Sequence, residues 1–114
     1  MSVEDSFVAG TVYYFGGMED LAQILAEAGF AVRIGQRALR VDQLARAFKL
    51  GYVGNLSPDA PFNVEGDGYD LPVATVAANC ARLADCLRIN GIGFNFAHFS
   101  GDQQLELGTY EFLP

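Results

Sequence analysis

Histidine occurs only once in this sequence and cysteine only twice. A structural zinc site needs four cysteine or histidine ligands, usually arranged in closely spaced pairs. Cys80 and Cys86 form no Cys-x-x-Cys motif, and neither lies at a ligand spacing from the histidine. The glycines of "GTVYYFGG" also lack the spacing of phosphate-binding loops. The sequence therefore predicts neither a metal nor a cofactor.

Positive charge is scarce as well. Seven lysines and arginines stand against fourteen aspartates and glutamates, which gives a net charge of −7. A surface of this sign repels phosphate backbones and anionic lipids. We therefore expect neither nucleic acid nor a membrane among the partners of this protein.

Long hydrophobic runs are missing, since none approaches the roughly 18 residues that span a bilayer. The first residues, "MSVEDSFVAG", begin acidic, whereas a secretory signal begins basic and then continues apolar. The two cysteines fall on one predicted helix, about 240° apart around its axis, so they cannot bond to each other. Free thiols suit a reducing compartment, and we expect a cytoplasmic protein.

Hydrophobic residues make up 51% of the 114 positions, which is enough to bury a core. We expect one globular domain over residues 1–114. The charges are unevenly distributed along it: residues 33–49 contain five basic residues and only Asp42 on the acidic side, a balance of +4. The rest of the chain contains 13 acidic and two basic residues, a balance of −11, so the surface is expected to be bipolar.

The first third of the chain predicts a strand, a helix and a strand. "FVAGTVYYF" is rich in β-branched and aromatic residues and is nearly all apolar, which is typical of a strand covered on both faces. "GGMEDLAQILAEAGF" has helical spacing and a glycine at its end, and "FAVRIG" alternates as a short strand. These three elements are of the right length for a parallel crossover.

The middle of the chain is less regular. "RALRV" predicts a brief strand followed by a helix from Asp42 to about Lys49, with a helix beginning nearer Arg37 as the alternative. Residues 54–69 show no periodicity and are predicted to form a long loop. A strong helix then follows, capped by Asp70, with Pro72 in its first turn and an apolar face of Val73, Val76, Cys80, Leu83 and Leu87.

The last third predicts a β-hairpin. "IGFNFAHF" and "QQLELGTYEFL" are β-rich runs, and Gly101 with Asp102 suits a two-residue turn. That turn would place His98 opposite Leu105 and Phe96 opposite Leu107. The predicted fold is α+β: a two-layer sandwich with a mixed β-sheet, helices packed on one face and a C-terminal β-hairpin.

The stretch "PFNVEGDGYDLP", residues 61–72, contains three carboxylates and no positive charge. As a calcium loop it fails, because Thr75 stands where the bidentate glutamate is required. We interpret this region as a surface for a basic protein partner, with aromatic anchors among carboxylates. The candidate partner-binding residues are Asp59, Phe62, Glu65, Asp67, Tyr69 and Asp70, of which Asp70 is already explained as a helix cap.

Catalytic constellations are missing. His98 alternates with phenylalanines on a predicted core face, and Ser100 is too close to it along a strand to complete a triad. No Gly-x-Ser-x-Gly motif occurs, and no cation neighbours either cysteine in the sequence. We expect no catalytic residues, and the protein is not predicted to be an enzyme.

Three functions fit these observations. The first is a small acidic inhibitor or immunity protein that neutralises a basic partner such as a toxin; bacterial immunity proteins are similar in size and charge sign, and no motif carries this similarity. The second is a small-ligand-binding domain or enzyme with a pocket near His98, Asn95 and Tyr110. The third is a homodimeric structural module that pairs through an exposed strand edge.

Overall fold

The computed structural model of the chain describes residues 6–41, 46–54, 56, 58–67, 71–101 and 105–114, with the backbone alone at residues 46, 47 and 67. Within these ranges the chain forms seven strands and two helices. The strands are β1 (Ser6–Tyr13), β2 (Arg33–Ile34), β3 (Ala38–Arg40), β4 (Arg46–Tyr52), β5 (Phe62–Asp67), β6 (Gly93–Ser100) and β7 (Glu106–Phe112). The helices are α1 (Met18–Glu27) and α2 (Val73–Ile89).

The strands form one open sheet in the order β2-β3-β4-β5-β1-β6-β7, and each neighbouring pair is antiparallel. The predicted α+β sandwich is confirmed, but the sheet is antiparallel rather than mixed. Helix α1 does join two strands of the same direction, β1 and β2, with three strands between them. The reason is that β2 to β5 return as a meander of hairpins, which puts β5 rather than β2 beside β1.

The segment after β3 is a strand rather than the predicted helix. The brief strand at "RALRV" is confirmed as β3, and β4 follows where a helix to Lys49 was expected. Phe48 and Leu50 are fully buried while Lys49 between them is half-exposed, which is the period of a strand with one buried face. The predicted cap Asp42 lies outside the described residues.

The predicted loop at residues 54–69 is also partly wrong, because β5 runs through its second half in the middle of the sheet. Phe62 and Val64 point into the core, and Glu65 points away from it. The next core-facing position is Gly66, where an added Cβ would overlap the ring of Phe48. The apolar alternation of β5 is hidden in the sequence because a neighbouring ring fills the place of its third core side chain.

Both helices pack on one face of the sheet, as predicted. The core-facing residues of α1 are Leu21, Ala22 and Leu25, and those of α2 are Val76, Cys80, Leu83, Ala84, Cys86 and Leu87. They share one hydrophobic cluster with the even-numbered residues of β1 and β6, such as Val8 and Phe96. Helix α2 ends before Asn90 and Gly91, as predicted, but its N-cap is Pro72 rather than Asp70, so the helix begins two residues later than expected.

The C-terminal hairpin exists, but its register differs from the prediction. His98 lies opposite Gly108 and Phe96 opposite Tyr110, with a bulge between His98 and Phe99. Leu105 and Leu107 are consequently 60% and 37% exposed. The rings of Phe96 and Tyr110 stack at 5.2 Å, and this aromatic pair buries more apolar area in the core than the predicted leucines would.

Candidate functional site

The two faces of the sheet differ in what covers them. Even-numbered residues of β1 lie under the helices, so its odd-numbered residues point to the other side. None of the described helices covers that side, which we call the open face. It consists of the odd-numbered residues of β1, β5 and β6 together with their partners in β4 and β7: Phe7, Ala9, Thr11, Tyr13, Lys49, Asn63, Glu65, Asn95, Ala97, Phe99, Glu106, Thr109 and Glu111.

Two phenylalanines form an apolar patch at one end of the open face. Phe7 in β1 lies directly opposite Phe99 in β6, and their rings stack with centroids 5.1 Å apart and planes at 22°. The next cross-strand pair is Ala9 with Ala97. Small side chains there leave one flank of the ring pair accessible, and both phenylalanines remain half-exposed.

Carboxylates lie on the strands that flank β1 and β6. Glu106 lies opposite Phe99 and Glu111 opposite Asn95, and both side chains are exposed on the edge strand β7. On the other side, Glu65 forms an ion pair with Lys49, with Nζ and Oε2 3.3 Å apart and the two side chains 55% and 43% exposed. A pair this exposed contributes about 0 to 1 kcal/mol, so a binding partner can break it cheaply.

The structure separates the predicted partner-binding residues. Asp59 is exposed before β5, and Phe62 at the start of that strand is fully buried in the core. Glu65 lies on the open face, and the Cα of Asp67 at the far end of β5 is opposite Phe7. Five residues of strand hold Phe62 and Asp67 about 16 Å apart. The side chain of Asp67 and the whole of Tyr69 and Asp70 lie outside the described residues.

The three residues predicted near the alternative pocket, His98, Asn95 and Tyr110, lie on two different faces of the sheet. His98 and Tyr110 point into the core, and the Tyr110 hydroxyl donates a hydrogen bond to the Ala77 carbonyl oxygen at 3.3 Å. Asn95 is exposed on the open face. Residues 95 and 98 of one strand face opposite sides of the sheet, so these side chains cannot line one cavity.

His98 is buried as a neutral side chain. Desolvation lowers the pKa of its imidazole, and Nε2 makes no hydrogen bond with any part of the chain that the structure describes. The buried hydroxyl of Ser6 likewise makes no hydrogen bond with the described residues. Ser6 lies on the same face of the sheet, two residues along β1 from Val8, which pairs with His98. A buried, neutral histidine under the helix layer is placed for packing rather than for exchanging protons with a substrate.

The two cysteine thiols are also buried and poorly placed for reaction. Cys80 and Cys86 are free and buried in α2. Burial raises the pKa of Cys80 to about 12 and also raises the pKa of Cys86. The thiolate is the reactive form, so neither cysteine is a nucleophile near neutral pH.

The described ranges contain neither a metal-binding cluster nor a membrane-spanning helix. No three or more histidine, cysteine, aspartate or glutamate side chains cluster there in a way that would hold a metal ion. Neither α1 nor α2, the helices found in those ranges, has the length and apolarity needed to cross a membrane.

Sequence reasoning missed Phe7 and Phe99, because it predicted a first strand covered on both faces. The signal is in the sizes of alternate residues: valines at 8 and 12 face the helices, whereas Ala9 and Thr11 face the other way.

Comparison of the chain with protein-family models, with curated proteins and with solved structures finds no match. Function is therefore inferred from the geometry of the described surfaces.

Proposed function

We propose that this chain is a protein-binding domain that binds a basic protein through the open face of its sheet. The observation that carries the proposal is the stacked Phe7 and Phe99 pair, set in an uncovered face and bordered by exposed carboxylates. Protein interfaces commonly combine buried aromatic anchors with a polar rim. The open face has both parts before any partner is present.

Energetics support this choice of surface. Full burial of one phenylalanine contributes up to about 1.5 to 3 kcal/mol, and two partly exposed rings lie side by side on this face. Glu106 and Glu111 lie on the border, where charges act mainly on the rate and specificity of association. A net charge of −7 favours encounters with a positively charged protein.

The finer part of the proposal is that binding is inhibitory, as for an immunity protein that neutralises a basic toxin in the cytoplasm. Small size and acidic charge support it, and the free cysteines are compatible with a reducing compartment. Glu65 stays in the proposed interface. Phe62 is not included, because its ring is part of the core.

The test is a comparison of two alanine variants against a purified partner. The partner is identified by mass spectrometry of proteins that co-purify with the tagged chain, and its dissociation constant is then measured by titration. Phe99→Ala should weaken binding at least tenfold, the usual effect of removing an aromatic anchor. Ile89→Ala removes an exposed apolar side chain from the C-terminal turn of α2, on the helix side of the sheet, and it should change binding less than about twofold. Equal affinities of Phe99→Ala and wild type would remove the open face from the interface.

A further inference from the structure

A second surface lies at the end of the sheet, where β1 and β4 finish and β5 begins. Val12 pairs with Phe62, and Phe62 pairs with Tyr52, so three chain segments meet there. The buried ring of Phe62 supports two tyrosines: its centroid lies 6.5 Å from that of Tyr14 and 5.5 Å from that of Tyr52. The two tyrosines therefore stand on a common floor.

Each of these tyrosines is followed two residues later by a glycine. A Cβ added at Gly16 would overlap the hydroxyl of Tyr14, and one added at Gly54 would overlap the hydroxyl of Tyr52. Both rings thus fold back over glycine backbone, and only glycine leaves the space for them. The repeated Tyr-x-Gly pattern fixes the position of the two rings at the rim of the sheet.

Between these rings lies a cavity of about 170 Å³ that is open to solvent. Its wall contains Tyr14, Phe15, Tyr52, Gly54, Pro58 and Pro61, and we call it the tyrosine pocket. Phe15 is 69% exposed at its mouth. Sites for small molecules usually enclose about 300 to 1,000 Å³, so this cavity has room for one side chain rather than for a drug-sized ligand.

The surroundings of the tyrosine pocket are acidic. Burial raises the pKa of Tyr14, and the nearby carboxylate of Asp20 raises it further. A shallow groove that shares Tyr14 continues along α1 past Asp20 and Glu27, and Asp59 is exposed between the two lining prolines. The N-terminus of α1 also reaches the tyrosine pocket, because Gly17 is part of its wall. The helix dipole there would repel a cation, but it is equivalent to only roughly half a positive charge. The carboxylates of Glu19 and Asp20 in that turn exceed it.

The described cations do not fill the pocket. Arg37 is the nearest along the backbone, since its carbonyl oxygen accepts a hydrogen bond from the Tyr52 amide at 2.7 Å, and its exposed side chain makes no contact with a described ring. Arg82 and Arg88 lie over Phe30 and Phe94 instead. Aromatic faces attract cations, and carboxylates nearby strengthen the attraction.

We propose that the tyrosine pocket binds the cationic side chain of an arginine or lysine presented by another polypeptide. The aromatic rings and prolines pack against its alkyl stem. Asp20, which lines the adjoining groove, and the exposed Asp59, which follows the lining residue Pro58, offset its charge. Arginine is the better fit because its planar, weakly hydrated guanidinium stacks on aromatic faces. This site is separate from the open face and does not depend on the function proposed for that face.

The experiment is a titration of the ¹⁵N-labelled full chain followed by NMR. The probes are N-acetyl-arginine amide, N-acetyl-lysine amide and the uncharged N-acetyl-norleucine amide. Both cations should shift the amide signals of Gly16 and Gly54 with dissociation constants in the millimolar range, and norleucine should bind at least fivefold more weakly. Norleucine binding as tightly as arginine would show a merely apolar crevice and overturn the proposal, as would the absence of shifts with either cation.

Variants separate this site from the open face. Gly54→Ala keeps every aromatic ring but displaces that of Tyr52, and it should weaken arginine binding several-fold. Asp20→Asn keeps the cavity and removes one charge, so it should weaken the binding of the arginine probe without affecting that of the norleucine probe. This variant tests the proposal even if Gly54→Ala fails to fold. Phe99→Ala, at the far end of the sheet, should leave the binding of all three probes unchanged. A loss of probe binding in Phe99→Ala, or none in Asp20→Asn and Gly54→Ala, would contradict the assignment.

Discussion

His98 shows at the scale of one residue how burial decides a role. It is the only histidine of the chain and the only conventional proton shuttle near neutral pH. The structure places it with Phe94 and Phe96 on the core face, as the sequence predicted, although its cross-strand neighbour is Gly108. A group that is desolvated and lacks a described partner at Nε2 stabilises the fold only while it stays neutral.

This gives a prediction for the pH dependence of stability. Burial lowers the pKa of His98 in the folded state, whereas the unfolded chain protonates near pH 6.5. The contribution of neutral His98 is therefore complete above that pH, and it is lost as the pH falls towards the lowered folded pKa. As the pH falls below about 6.5, the wild type should lose stability more steeply than His98→Gln, by up to about 1.4 kcal/mol per pH unit. Urea melts of both proteins measure this, and parallel slopes would mean that His98 does not titrate differently on folding.

At the scale of elements, what the sequence predicts depends on how openly each element shows its period. Helix α2 was predicted well because its core-facing residues recur at helical spacing over several turns without interruption. Strand β5 is not evident from the sequence, because Gly66 takes a core-facing place and the polar Asn63 and Glu65 lie on the other face. The register between β6 and β7 differs from the prediction because the prediction rested on the turn residues alone. The observed register places Tyr110 and Phe112 on the core face, where they pair with Phe96 and Phe94.

The open face was missed for a related reason. A strand whose outward residues are alanine, threonine and phenylalanine reads as apolar throughout, so the sequence does not distinguish a covered face from an uncovered one. Only the sheet order shows that Phe7 and Phe99 meet. The tyrosine pocket likewise depends on two Tyr-x-Gly segments that are distant in the sequence and that the strand order brings to the two sides of Phe62.

The contact between β4 and β5 provides a prediction at this scale. Gly66→Ala would drive a methyl group into the ring of Phe48, and such overpacking costs about 1 to 3 kcal/mol. Phe48→Leu removes the conflicting edge of the ring at its own cost. If the two residues share one volume, the double variant should be less destabilised than the sum of the single variants, by about 0.5 kcal/mol or more. Chemical denaturation of the four proteins gives this coupling, and strict additivity would contradict the packing described for Gly66.

For the whole molecule, the question is how the surface charge acts on association. Glu65 and Glu111 lie on opposite borders of the open face, and Glu19 and Asp85 lie on the helix side. Each pair carries the same total charge. A comparison of the two pairs therefore separates the effect of position from the effect of net charge.

Neutralising Glu65 and Glu111 to glutamine should slow association with the basic partner and weaken binding by about 1 to 3 kcal/mol. The melting temperature should change little, since both side chains are exposed. The matched variant, Glu19→Gln with Asp85→Asn, should have a smaller effect. Association rates at low and at physiological salt measure the difference, because screening reduces long-range steering. Equal rates for the two double variants would leave net charge alone as the cause.

The strand order also makes the sheet an electric dipole. Arg33, Arg40 and Lys49 belong to β2, β3 and β4 at one side, and Glu106 and Glu111 belong to β7 at the opposite edge, with three strands between the two groups. Neighbouring strands are about 4.8 Å apart, so the two groups are separated by roughly 20 Å or more, about twice the screening length at 0.1 M salt. A basic partner, as proposed, is therefore attracted by the strand carboxylates of the β7 edge and repelled by the strand cations of the opposite side. Strand β7 lies beside β6, so an encounter at this edge brings the partner close to Phe99.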